Sequence, residues 1–206
     1  MLLLVGLGNP GPDYAGHRHN IGFVALDAIC ARHRFAPERK KFRGLIAEGE
    51  IDGVKVLALK PQTYMNESGQ SVGEAMRFHK IAPADVLVIH DEIALAVGKL
   101  RVKTGVGNAG HNGLRSIDAH IGPSYRRLRV GVGHPGDADQ VKNFVLQDFA
   151  KAERPYFEKL VEAIAEAAPL LASGADAAFM SKVQHAVNPP PPKPPRKAAS
   201  GGEPRS

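Results

Sequence analysis

Cysteine is almost absent from this chain: Cys30 stands alone in 206 residues. A lone thiol excludes internal disulfides and fits a reducing cytoplasm. Its setting in a helix-forming stretch reads as a small buried hydrophobe rather than a nucleophile. Long apolar runs are also missing, so the sequence predicts no membrane-spanning helix. The opening run Leu2 to Val5 is too short for a signal peptide and has no basic leader, which predicts a chain that stays in the cytoplasm. No G-x-S-x-G elbow occurs, which argues against a serine nucleophile of that kind. Strong charge bias is lacking too. The formal net charge is +6, but Lys193, Arg196, Lys197 and Arg205 against Glu203 place +3 of it after Val187. The +3 that remains is weak, so any nucleic-acid contact has to come from local clusters.

What is present is an ordinary mixture, 43% hydrophobic and 23% charged, of a length that suits one domain and a tail. Leu2 to Val5 and Val86 to Ile89 are unbroken apolar runs, the pattern of strands covered on both faces. Gly44 to Leu59 reads as a hairpin turning at Asp52-Gly53. Lys99 to Lys103 and Arg126 to Val132 alternate, as half-exposed strands do. Helical patterns occupy Ile21 to Arg34 with Asn20 as N-cap, Glu67 to Phe78, Leu114 to Ile121, a segment opening at Pro155, and about 175 to 187. The expectation is a single α/β domain over residues 1–187, with a twisted, mixed and largely parallel sheet flanked by helices. Residues 188–206 are Pro-rich and basic, the composition of a disordered tail.

Polar residues gather where strands end. Asn9 and His19 follow the first strand, Asn66 the hairpin, His90-Asp91 the second apolar run, and His111-Asn112 enter a helix. Polar groups beside glycines at strand ends describe a site mounted on a rigid scaffold. Three chemistries compete for it. Gly6-Leu7-Gly8-Asn9-Pro10-Gly11 satisfies the dinucleotide fingerprint literally, but Pro10 and Pro12 interrupt, and helical periodicity waits until Ile21. His17, His19, His90, Asp91, His111 and His134 could supply metal ligands, yet no recognised ligand spacing occurs. The third is metal-free hydrolysis, in which a carboxylate-oriented His activates water and Asn amides bind a carbonyl or oxyanion.

The blocks Gly6-Leu7-Gly8-Asn9-Pro10-Gly11 with Tyr14, Arg18-His19-Asn20-Ile21-Gly22, Lys60-Pro61, and Tyr64-Met65-Asn66-Glu67-Ser68-Gly69 occur in order. His90-Asp91-Glu92, Gly110-His111-Asn112-Gly113-Leu114-Arg115 and Arg127 to Gly136 follow. Together they resemble bacterial peptidyl-tRNA hydrolase over roughly residues 1–185. The resemblance implies a monomeric enzyme, with no cofactor, metal or obligate protein partner. Such an enzyme hydrolyses the ester between a peptide and the 3′ ribose of tRNA, and so recycles tRNA from peptidyl-tRNA released too early. It implies His19 as the general base and Asp91 as its orienting partner. Asn9, Tyr14, Tyr64, Met65, Asn66, His111 and Asn112 become substrate-binding positions, and Lys103 and Arg129 tRNA-binding ones.

Basic side chains offer a phosphate track in the alternating set Lys99, Arg101 and Lys103, with Arg126, Arg127 and Arg129 beside it. Arg39-Lys40-Lys41-Arg43 reads as a solvated face instead. Three positions depart from the family pattern. His17 replaces a usual Thr beside the base, the 104–110 loop has fewer glycines, and Ala138 stands where a Lys is common, with Lys142 nearby. Outside this family, the same residues could serve an RNA-binding module without catalysis, or a hydrolase of another ester or amide. A pure binder has no use for both His19 and Asp91.

Overall fold

The two unbroken apolar runs lie side by side. In the computed structural model, which describes residues 1–188, β1 (Leu2–Gly6) pairs in parallel with β5 (Val86–Glu92) at the centre of a seven-stranded sheet. On the other side β1 pairs in parallel with β4 (Val54–Pro61), which closes an antiparallel hairpin with β3 (Gly44–Ile51). The hairpin turn falls at Asp52-Gly53, both with positive φ (48° and 80°), the mirror-image turn that Asp-Gly favours. Beyond β5 lies the parallel β7 (Arg126–Gly131), and β6 (Leu100–Thr104) runs antiparallel to it at the edge. With an edge strand β2 (Arg39–Lys41) beside β3, the full order is β2-β3-β4-β1-β5-β7-β6. The mixed, largely parallel sheet matches the expectation from sequence.

Alternation along the central strands builds two cores. Leu2, Leu4, Leu87 and Ile89 face one way, into a cluster with α1 (Ile21–Arg32), α5 (Arg154–Ala172) and α6 (Asp176–Val187). Leu3, Val5, Val86 and Val88 face the other, against α2 (Ser68–His79) and α3 (Asn112–Ile121). A strand covered on both sides needs apolar residues at every position, which is why these runs are unbroken. The chain leaves β1 for one face and β4 for the other. The carboxyl ends of β1, β4, β5 and β7 therefore open onto a crevice at a topological switch point. That crevice is where the polar residues meet.

Two elements depart from the sequence reading. Arg39–Lys41 forms an edge strand, β2, rather than a plain solvated face, and Val141–Val145 forms a short helix, α4, that no periodicity announces. Asn20 starts α1 but makes no side-chain cap bond, because its amide is used elsewhere. Cys30 is half-buried, and burial, with Asp27 and Glu38 nearby, pushes its thiol up to about 12, so it is inert. Residues 189–206, with the expected tail, lie outside the described residues. Among the described residues no helix is long and apolar enough to cross a membrane.

Gly22 sets how closely α1 approaches the sheet. A Cβ there would collide with the backbone of Leu7 and the carbonyl of Ile89, none of which can swing aside. Gly22→Ala is expected to cost about 1–3 kcal/mol by overpacking. At about 2–4 °C per kcal/mol for a chain this size, calorimetry reads that as a clear fall in Tm.

Candidate active site

Asp91, near the end of β5, is the hub. Its Oδ1 lies 2.8 Å from His19 Nδ1 and 2.8 Å from His111 Nε2. All three side chains are largely buried, Asp91 most deeply. The backbone fixes the tautomer of His111. Its Nδ1 accepts the amide hydrogens of Gly113 and Leu114 (3.1 and 3.4 Å), capping α3, so the ring proton sits on Nε2 and is donated to Asp91. His19 donates from Nδ1, and its Nε2 has no protein partner among the described residues. Burial is the largest single influence on His19 and opposes charging. The attraction and hydrogen bond from Asp91 outweigh it and raise the imidazole above its usual 6.5. The two imidazoles likewise overcome burial at Asp91 and hold its carboxyl well below the usual carboxylate range. Asp91 is thus an anion wherever His19 can act as a base.

Donor chemistry also bears on the metal reading. His19, Asp91 and His111 bring potential ligand atoms within 4.8 Å of one another. A neutral imidazole has one lone-pair nitrogen, and that of His111 is committed to the α3 amides. Its Nε2 could bind a metal only as an imidazolate or after giving up the cap. The other candidate histidines do not join this cluster. His90 is fully buried, with Nδ1 on the Asp91 carbonyl (2.7 Å), and burial, followed by His111, pulls it down to about 3. His134 Nδ1 accepts from the Gly136 amide (2.9 Å), and His17 packs edge-on against Tyr14, outside the cleft lining. Two ligands remain, too few for a zinc site of the usual three or four.

Asn9 is held as rigidly as the dyad. Its backbone exchanges hydrogen bonds with the Asn20 amide, N–H to Oδ1 and O from Nδ2, both 2.9 Å. Its own Oδ1 accepts from the Met65 N–H at 2.8 Å. The carbonyl end being fixed, the NH₂ is the end left to donate to a ligand. This lock explains why the Asn20 side chain makes no cap bond at the start of α1. The dinucleotide reading fails here too, because a 3₁₀ turn (Pro12–Tyr14) rather than a helix follows the glycine turn.

Around these groups lies a cleft of about 780 Å³, lined by Asn9, His19, Tyr64, Met65, Asn66, Asp91, His111 and Asn112, with Arg115 and Arg129. Tyr64, Asn66 and Asn112 are exposed, and Met65 is buried in the floor. Gly113 lets that floor close: a Cβ there would lie 2.6 Å from Met65 Sδ. A further wall comes from 138–146, where Ala138, Val141, Lys142, Val145 and Leu146 line the cleft.

A sequence model described as peptidyl-tRNA hydrolase matches residues 3–191. The chain belongs to the peptidyl-tRNA hydrolase family. A relative of that description from Parvibaculum lavamentivorans is 60% identical over 204 residues, spanning 98% of this chain and 100% of the relative. Another, from Dinoroseobacter shibae, is 57% identical over 100% of this chain and 85% of its own. The crystal structure of peptidyl-tRNA hydrolase from Acinetobacter baumannii superposes with a TM-score of 0.84 at 40% identity, covering 89% of this chain and 94% of that one.

Within this family fold, most residues singled out in the sequence converge on one cleft. Three do not behave as the sequence implied. Tyr14 sits on the 3₁₀ turn and does not line the cleft. Arg127 faces the same way as Lys103 across the β6–β7 ladder, but it is fully buried, bonded to the Gly107 carbonyl and to Asp118. It leaves the phosphate track, and so does Arg126, which pairs with Asp176. Arg129 lines the cleft with its Nε donating to Glu92 (2.8 Å), which leaves its two terminal NH₂ groups for a ligand. Lys99, Arg101 and Lys103 are all exposed along one face of the edge, as alternation requires. Lys60, inside a recognised block, pairs with Asp27 and Glu38 (2.6 and 2.7 Å) away from the cleft. Sequence reasoning missed the Asn20 lock and the 138–146 wall. An Asn eleven residues from Asn9 was the only visible signal of the first.

Proposed function

We propose that the protein hydrolyses the ester joining a peptide, or an N-blocked aminoacyl group, to the 3′ ribose of tRNA, and that it does so as a cytoplasmic monomer without metal or cofactor. The observation that carries this is the His19–Asp91 pair, whose free imidazole nitrogen shares one cleft with the fixed Asn9 amide. His19 Nε2 takes a proton as water attacks the ester carbonyl. Asp91 steadies the imidazolium that forms, and the Asn9 NH₂ is placed to bind the substrate or the developing oxyanion. The imidazolium then returns its proton to the departing 3′ oxygen, giving a tRNA hydroxyl and a peptide carboxylic acid that loses its own proton to solvent. An ester is already activated, so one oriented base and one or two amides are a sufficient complement.

Asn66 and Asn112 line the cleft with exposed amides, and amides that grip a peptide main chain serve any sequence. Arg129 and Lys103 supply cations for the tRNA phosphates, and Lys142 stands on the wall that lacks a cation at Ala138. The test is release of the acyl group from N-acetylaminoacyl-tRNA across a salt series. Lys103→Ala and Arg129→Ala are each expected to raise KM and to flatten the slope of log(kcat/KM) against log[salt] by roughly 0.7–0.9, one phosphate contact apiece. Unaltered slopes in both variants would remove these two residues from the tRNA surface, and no release by folded wild type would refute the activity.

A further inference from the structure

Arg18, next to the base, does not reach the cleft. It is buried, its guanidinium held between the rings of Phe144 (4.3 Å) and Phe149 (4.7 Å). Nη1 donates to the Val132 carbonyl (3.0 Å) and to Glu153 (3.2 Å), and Nη2 donates to the other Glu153 oxygen at 2.6 Å. Glu153 is fixed in turn by the Ala150 amide (2.8 Å). The backbone repeats the connection: the Arg18 amide donates to the Gln147 carbonyl (2.9 Å), and His17 forms a β-bridge with Asp148. One side chain thus gathers the end of β7, α4, the loop after it and the start of α5 onto the turn that carries His19.

The wall so gathered has little else to hold it. Helix α4 spans five residues, of which only Val145 is buried, and among the elements it packs against most are the 18–20 turn and the turn before it. Segments with few buried contacts open and close at low cost. The same wall faces the cleft with Val141, Lys142 and Leu146. A ligand that presses on it therefore presses on Arg18.

We infer that Arg18 is a positioning residue that couples occupancy of the 138–146 wall by the tRNA part of the substrate to the alignment of His19. The inference rests on the proposed activity and adds a route by which the correct substrate improves its own cleavage. A bidentate, ring-stacked guanidinium is not matched by an ammonium, so Arg18→Lys keeps the charge while loosening the clamp. Phe144→Leu removes one ring, keeps an apolar side chain, and carries the test if the lysine variant does not fold.

Two readouts separate coupling from bulk structure. In variants whose circular dichroism matches wild type, kcat for N-acetylaminoacyl-tRNA is expected to fall about tenfold or more, through misplacement of the base, with KM within about threefold. Hydrogen exchange with deacylated tRNA as the probe is expected to slow at amides 141–149 and 17–20 together in wild type, but only at 141–149 in the variants. Unchanged kcat, or wild-type protection confined to 141–149, would overturn the inference. A wild type that binds deacylated tRNA with joint protection yet releases no acyl group would instead overturn the proposed activity and leave the coupling standing.

Discussion

His19→Ala is expected to lower kcat/KM for N-acetylaminoacyl-tRNA by about 10²–10⁴-fold, the usual worth of one positioned general base. KM should change little, since the imidazole meets the attacking water rather than the bulk of the substrate. The fold should survive, because His19 sits on a 3₁₀ turn at the cleft surface and its truncation leaves both cores untouched. Single-turnover kinetics give the rate, and a thermal melt checks the fold. Wild type should also show a characteristic pH profile. The working base is the neutral imidazole, and Asp91 raises its pKa above 6.5. The rate therefore climbs with pH through that raised value and levels above it.

Asp91→Asn carries the second large effect. The substitution keeps the shape and an acceptor oxygen but removes the charge. Without that charge, burial acts on His19 unopposed and favours its neutral form. The ascending limb should move to lower pH than in wild type. At the same time the plateau should fall by about 10²-fold or more, because the imidazole is less firmly oriented and the imidazolium less stabilised. A loss of rate together with an acid-ward shift of the limb is a signature that general damage does not produce. A lower plateau with the limb unmoved would show that Asp91 acts only as a mechanical support. His111 shares the same carboxylate oxygen, so its capping of α3 links the dyad to the helix that Asn112 opens.

The parts of the fold that were legible in the sequence are those decided locally. Leu2 to Val5 and Val86 to Ile89 are buried on both sides, so their composition alone marks them as central strands. Asp52-Gly53 has the one backbone chemistry that a tight mirror-image turn needs. Arg39–Lys41 was not legible, because a basic edge strand buries no face and leaves no period. Neither was α4, too short at five residues to show one.

The site divides in the same way. His19, Asp91, Asn9, Asn66 and Asn112 each end or follow a strand, or open a helix, so topology brings them together once the strands are parallel. The remainder depends on distant partners. Asn20 resembles a cap until Asn9 is seen to use its amide, and Arg18 meets Glu153 across 135 positions. Arg127 and Arg129 both occupy outward-pointing places in one alternating strand. Asp118 and the Gly107 carbonyl take the first into the interior, while Glu92 leaves the second half-exposed. No pattern of spacing encodes which loop covers which arginine.

The proposed mechanism turns on water activation by His19 without a metal. The most direct measurement is acyl release from N-acetylaminoacyl-tRNA by wild type and His19→Ala, each with and without EDTA. Turnover that resists the chelator in wild type and disappears in the variant is the predicted result. Turnover lost on chelation and restored by a divalent ion, or retained at full rate in His19→Ala, would contradict it.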